Sequence, residues 1–117
     1  MSSADAARAA ELAGLLKVLS DPTRLAILDR LMQGVQCNCE LGECLDLPMN
    51  LISHHLKALR RAGLVSARRD PSDRRWVYYS VNREALVRLQ QEVCAFFDPG
   101  RIQVRETACP RRAGVRG

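Results

Sequence analysis

Residues 45–65, LDLPMNLISHHLKALRRAGLV, decide how the rest of the chain is read. Leu45, Leu47 and Pro48 close one helix and make a turn. Met49 to Ala62 then reads as a second helix, with Leu51, Ile52, Leu56 and Leu59 at core spacing. Gly63 is a natural stop just past that helix, and Leu64-Val65 begins something extended. The other face of the second helix carries Asn50, Ser53, His54, Lys57, Arg60 and Arg61. A helix, a short turn and an amphipathic helix with that polar face form the pattern of a DNA-reading helix-turn-helix. An ordinary surface helix with a solvated face reads the same way, so the flanking sequence has to decide.

Upstream, Leu12, Leu15, Leu16 and Leu19 predict an amphipathic helix from about Ala9 to Leu19, after a frayed start over residues 1–8. Ser20-Asp21-Pro22 is a helix start, because Ser20 or Asp21 accepts the first amide hydrogens and proline is preset for the first turn. Thr23 to Met32 follows, with Leu25, Ile27, Leu28 and Leu31 expected in the core. Cys37-Asn38-Cys39 leads into a short helix from Asn38 to Leu45. Downstream, Leu64–Arg69 and Trp76–Asn82 predict two strands joined by Asp70-Pro71-Ser72-Asp73, which is turn chemistry. An arginine-laden hairpin directly after a helix-turn-helix is a wing whose tip reaches phosphates or the minor groove. Order and charge together favour the DNA-binding reading.

The charge is not evenly spread. The net +5 of the 117 residues conceals +6 over residues 54–83, where Lys57, Arg60, Arg61, Arg68, Arg69, Arg74, Arg75 and Arg83 face only Asp70 and Asp73. Residues 101–117 add five arginines against Glu106, leaving the remainder of the chain acidic. Basic charge focused on one helix, one hairpin and one tail is a nucleic-acid footprint.

The length allows one domain, with too little chain for an elaborate enzyme cleft. No apolar run approaches the roughly 20 residues of a membrane span, and the alanine-rich start lacks the apolar core of a signal peptide, so a cytoplasmic location is expected. Five cysteines in such a chain point to thiols for metal or redox chemistry rather than disulfides. No glycine-rich phosphate loop, paired carboxylates or Cys–His neighbours suggest catalysis.

Arg83 to Phe97 closes the fold as a last helix with Leu86, Leu89, Val93, Phe96 and Phe97 on one side. Both it and the first helix carry apolar stripes that a small winged domain cannot cover. A two-fold dimer packing first and last helices across the axis, spaced for a palindromic operator, accommodates both. The expected fold class is mainly α with a small β-hairpin, a winged helix-turn-helix. The domain is expected over residues 9–98 and a disordered arginine-rich tail over 99–117.

LSDPTRLAILDRLMQG, CNCEL, NLISHHLKALRRAGLV and RRWVYYSVN, in that order, resemble the ArsR/SmtB family of metal-responsive repressors over about residues 9–97. The resemblance implies a homodimer that occupies double-stranded operator DNA when metal-free and lets go when a metal or metalloid binds. It implies that Asn50, Ser53 and His54 lie on the helix that enters the major groove, with Arg74 and Arg75 on the wing; Met49, Lys57 and Arg60 are expected beside them on the DNA face. His55 is expected to pack or cap.

The resemblance also implies an inducer site at Cys37 and Cys39, which match the family's Cys-x-Cys. Arsenic sensors place a third cysteine three residues later, where this chain has Gly42; its next cysteine is Cys44. Thiolates select arsenite, antimonite, cadmium, lead, zinc or copper(I), and arsenite or antimonite, which take three thiolates, are the expected inducers. On a regular helix Cys37 and Cys39 point about 200° apart, so one ion holds both only where the backbone is not helical. Cys44 lies too far along a helix to share that ion without a bend, and Cys94 and Cys109 are further candidates for the third thiolate. Residues 83–97 contain no histidine, so the family's zinc or nickel site on the last helix is not expected. Thiol redox or persulfide switching without any metal is the alternative.

Overall fold

The computed structural model describes residues 2–104, so Met1, Cys109 and the rest of the tail lie outside it. Five helices and a three-stranded antiparallel sheet follow one another as α1 (Ser3–Leu19), α2 (Pro22–Leu31), β1 (Gln36–Cys37), α3 (Asn38–Leu45), α4 (Met49–Arg61), β2 (Val65–Arg69), β3 (Val77–Val81) and α5 (Arg83–Phe96). A 3₁₀ turn over Pro99–Arg101 is the last element of the described residues. This is the winged helix-turn-helix expected from the sequence.

α1 starts six residues earlier than its leucine spacing suggests, and residues 3–8 are helical rather than frayed. The Ser2 hydroxyl accepts the Asp5 N–H at 3.1 Å, and the alanine-rich turn that follows has high intrinsic helix preference. α2 starts as its residues dictate: Asp21 Oδ1 accepts from the Thr23 and Arg24 amides at 2.8 and 3.1 Å, with Pro22 in the first turn.

The core is formed by Leu12, Ile27, Leu28, Leu31, Leu41, Ile52, Leu56, Leu59, Leu64, Val65, Val77, Tyr79 and Leu89. Leu25, expected inside, is half exposed: about 60° round the helix from Leu28 and about 160° from Ile27, it lies at the edge of the buried stripe. Leu16 of α1 and Phe97 after α5 are likewise exposed on this single chain. α4 contributes three fully buried aliphatics, Ile52, Leu56 and Leu59. Truncating one, as in Leu56→Ala, costs about 2–5 kcal/mol because the cavity cannot fully collapse.

α4 ends at a left-handed Gly63 (φ 78°). Gly63 N–H donates to the Arg60 carbonyl and Leu64 N–H to the Leu59 carbonyl, so the last turn is satisfied and the chain leaves directly into β2. Asn82 clamps that corner: its Nδ2 donates to the Gly63 carbonyl at 3.0 Å and its backbone N–H to Leu64 O at 2.8 Å. Its Oδ1 meanwhile caps α5 at Ala85.

β1 has only two residues and no alternating pattern, and sequence reading assigns no strand there. It pairs antiparallel with β3, Gln36 opposite Tyr79 and Cys37 opposite Tyr78, giving the strand order β1-β3-β2. Among the described residues no helix is long and apolar enough to cross a membrane.

Candidate nucleic-acid interface and thiol site

On α4 the inward residues are Ile52, His55, Leu56 and Leu59, which leaves Asn50, Ser53, His54, Lys57, Arg60 and Arg61 exposed on one continuous face. Met49 opens the helix after Pro48 and is partly exposed. It also lines a cleft of about 530 Å³ with Cys39, Gly42, Glu43, Asp46, Leu47 and Pro48, beneath the α3–α4 turn. That turn is set by Asp46, which adopts the left-handed region at φ 52°.

The wing tip is built around Asp70. Its Oδ1 accepts from the Ser72 N–H and hydroxyl, both at 2.8 Å, and from the Asp73 N–H at 3.1 Å. Its Oδ2 accepts from the Tyr78 hydroxyl at 3.2 Å. These donors, Ser72 foremost, hold the Asp70 carboxyl down at about 2. The two wing arginines differ in circumstance. Arg75 forks onto Asp73, with Nη2 to Oδ2 at 2.7 Å and Nε to Oδ1 at 3.0 Å. Arg74 is exposed and gives its carbonyl to Arg69 Nη1 at 2.6 Å. Arg68 stacks over the Tyr78 ring at 5.6 Å.

Cys37 is the N-cap of α3, with φ −80° and ψ 162°, and is buried. Because that residue is extended rather than helical, its side chain is released from the helical 100° increment. The Cys37 and Cys39 sulfurs meet at 2.9 Å. The backbone condition the sequence demands for a shared ion is therefore present without any unwinding of α3. Glu40 closes the cap: its Oε1 accepts the Cys37 N–H at 2.9 Å. That bond also lowers the Glu40 carboxyl. Burial, reinforced by the hydrogen bond with Cys39, pushes the Cys37 thiol up to about 11. Cys37 therefore keeps its proton at neutral pH.

Cys44, on the exposed side of α3, and Cys94, exposed on α5, do not join this pair. Among the described residues no group of three His, Cys, Asp or Glu side chains could hold a metal ion together. His55 is buried, as expected, and accepts a hydrogen bond from Arg24 Nε at 3.1 Å. Sequence reading places Asp70 in the turn without its role as the hub of the wing tip, and it misses Tyr78 and Arg24. Only Asp70 leaves a local signal, the Asp-x-Ser-Asp spacing of an Asx turn; the other two depend on contacts across elements.

Residues 21–67 match the model of the family described as bacterial regulatory protein, arsR family. The arsenical resistance operon repressor of Staphylococcus xylosus is 40% identical over 83 residues, covering 71% of this chain and 77% of that one. Among solved structures, NolR from Sinorhizobium fredii superposes with a TM-score of 0.67 at 29% identity, over 83% of this chain and 94% of that one. The homodimeric winged helix-turn-helix DNA-binding domain Mb0332 of Mycobacterium bovis superposes at 0.63 with 26% identity, over 90% and 97% of the two chains.

Proposed function

Because the chain belongs to the arsR family of bacterial regulatory proteins, a family of DNA-binding regulators rather than enzymes, we propose that it is a cytoplasmic homodimeric repressor. It binds a pseudo-palindromic duplex through α4 and the wing, and releases it when Cys37 and Cys39 bind a thiophilic metal or metalloid, arsenite first. The pairing surface is α1 with α5, where Leu16, Val87 and Phe97 are exposed on the single chain. Across the two-fold axis each α4 presents Asn50, Ser53 and His54 to one half-site, with Met49, Lys57 and Arg60 beside them and Arg74 and Arg75 at the flank.

The observation that carries the inducer reading is the 2.9 Å contact of the two sulfurs at the N-cap of α3. Two thiolates bonded at about 2.3 Å to one tetrahedral ion stand roughly 3.8 Å apart, so less than 1 Å of opening admits a soft ion. Arsenous acid exchanges its hydroxyls for thiolates and releases water, As(OH)3 + 2 RSH → (RS)2AsOH + 2 H2O. A third thiol, from Cys44, Cys94 or Cys109, displaces the last hydroxyl as water. Cadmium, lead or zinc would displace the thiol protons instead.

The same contact supports a redox reading, in which the two thiols lose two electrons and two protons to an oxidant such as peroxide and form a disulfide. The proton retained on Cys37 weighs against it, since the thiolate is the nucleophile. A titration decides: arsenite or cadmium added to the reduced protein should raise sulfur-to-metal charge-transfer absorption. The band should vanish in Cys37→Ser/Cys39→Ser. Serine substitution of Cys44, Cys94 and Cys109 in turn then identifies the third donor. An undiminished band in the double variant would move the site elsewhere.

A further inference from the structure

α4 rests on the core through interdigitated aliphatic side chains, whose attraction is non-directional and constrains rotation and sliding through shape alone. Hydrogen bonds are directional and fix both. Inside α4 one polar side chain is buried, His55, and its Nδ1 accepts from Arg24 Nε at 3.1 Å. Arg24 reaches a third helix as well: its Nη1 donates to the Val18 carbonyl at 3.3 Å, at the C-terminal end of α1. A cation suits that end of the helix dipole. Its own backbone N–H is held by Asp21, whose carboxyl is lowered chiefly by that bond. One arginine thus joins the C-terminus of α1, the N-terminus of α2 and the middle of α4. The neighbouring His54 ring stands edge-on to His55 at 5.2 Å, so the orientation of the buried ring and that of its exposed neighbour are linked.

We infer that Arg24 and His55 set the pitch of the reading helix, making them positioning residues for sequence-specific binding although both lie off the DNA face. The inference rests on α4 being that helix. Each residue of α4 advances about 100°, so a tie at His55 fixes the directions of Ser53 and His54. Base edges are read by side chains that must meet particular donor and acceptor atoms, whereas phosphate contacts carry no sequence information. Loosening the tie therefore costs specific affinity and spares non-specific affinity. An accepting Nδ1 also requires a neutral imidazole with its proton on Nε2.

The test uses the full chain, a duplex of about 30 base pairs enriched by the wild-type protein from a random pool, and poly(dI-dC) as the non-specific partner. Arg24→Leu and His55→Leu, measured where circular dichroism shows them folded, should each lose about tenfold in affinity for the enriched duplex. Their affinity for poly(dI-dC) should stay within about twofold. His55→Gln, which keeps an acceptor for Arg24, should retain most of the specific affinity. The Arg24→Leu/His55→Leu double variant should be no worse than either single one. Equal losses on both DNAs, or a glutamine variant as weak as the leucine one, would overturn the inference. Nitrogen-15 spectra of the free protein give a DNA-independent readout, with His55 Nδ1 expected unprotonated; an Nδ1–H signal contradicts the tie. Should no duplex be enriched, the repressor reading fails, and the imidazole spectrum still decides whether the tie exists.

Discussion

Cys37 stands opposite Tyr78 in the β1–β3 ladder, and Tyr78 donates its hydroxyl to Asp70, the hub of the wing tip. A thiol and the wing are therefore one strand pair and one hydrogen bond apart. The Tyr78 phenol is pushed above its ordinary value chiefly by its hydrogen bond to Asp70, and then by burial. Under the proposed function, an ion that spread the Cys37 and Cys39 sulfurs would pull on a residue that both caps α3 and pairs with β3. It would have two routes to the proposed DNA face, through α3 to α4 and through β3 to the wing.

Tyr78→Phe separates those routes. It keeps the ladder and removes the bond to Asp70, so affinity for duplex without inducer should fall less than threefold. The change in affinity caused by arsenite should shrink by about threefold or more, an ordinary coupling between linked sites. Fluorescence anisotropy on a labelled duplex, with and without arsenite, measures both. An unchanged arsenite effect confines the coupling to α3.

The wing arginines should not be equivalent. Arg74→Ala should reduce the slope of log affinity against log salt by about one unit if it neutralises a phosphate. Arg75 is already forked onto Asp73, so a phosphate must compete for it, and Arg75→Ala should change the slope by clearly less. Equal slopes for the two variants would show that the Asp73 fork opens on DNA.

Much of this was legible in the chain. Asp21-Pro22, Gly63 and the run of Ile52, Leu56 and Leu59 act within a few residues of themselves, and the helices they imply are present. The sequence also singled out Cys37 and Cys39, but helical geometry argued against their meeting. Cys37 belongs to a two-residue strand held by β3, some forty positions later, and no local pattern announces it. Leu25 shows the opposite failure: a leucine at plausible spacing, about 60° from buried Leu28, that falls at the edge of the buried stripe and stays half exposed.

Gly42 occupies the position where arsenic sensors of this family carry a third cysteine. A Cβ there would meet the Leu47 carbonyl at 3.4 Å and Met49 Sδ at 3.6 Å, which is ordinary contact. Gly42→Cys should therefore fold, gaining a few tenths of a kcal/mol from the helix interior. A third thiolate one turn beyond Cys39 should tighten arsenite at least tenfold, read by isothermal titration. Unchanged affinity would mean that the ion does not sit on the Cys39 side of α3.

The protonated Cys37 makes the ions distinguishable by pH. Each thiol proton displaced by cadmium raises its apparent affinity about tenfold per pH unit while the thiol stays protonated. With Cys37 at about 11, that rise should continue throughout pH 6–8. Arsenous acid, which leaves as water, should bind with little dependence on pH over the same range. A flat cadmium profile would exclude Cys37 as a ligand.

The raised thiol also has a signature in stability. Its folded value lies above the ordinary 9.0, so the stability that goes with it is complete below pH 9 and is lost as pH climbs toward 11. Urea midpoints of the wild type should fall across that window more steeply than those of Cys37→Ser. Parallel curves would place the thiol in water.

The most direct measurement is release of a bound duplex by arsenite, followed by anisotropy, for the wild type and for Cys37→Ser/Cys39→Ser. The wild type should let go on arsenite addition, while the double variant should bind the duplex within about twofold of wild type and stay bound. Arsenite freeing the duplex from the double variant would contradict the account.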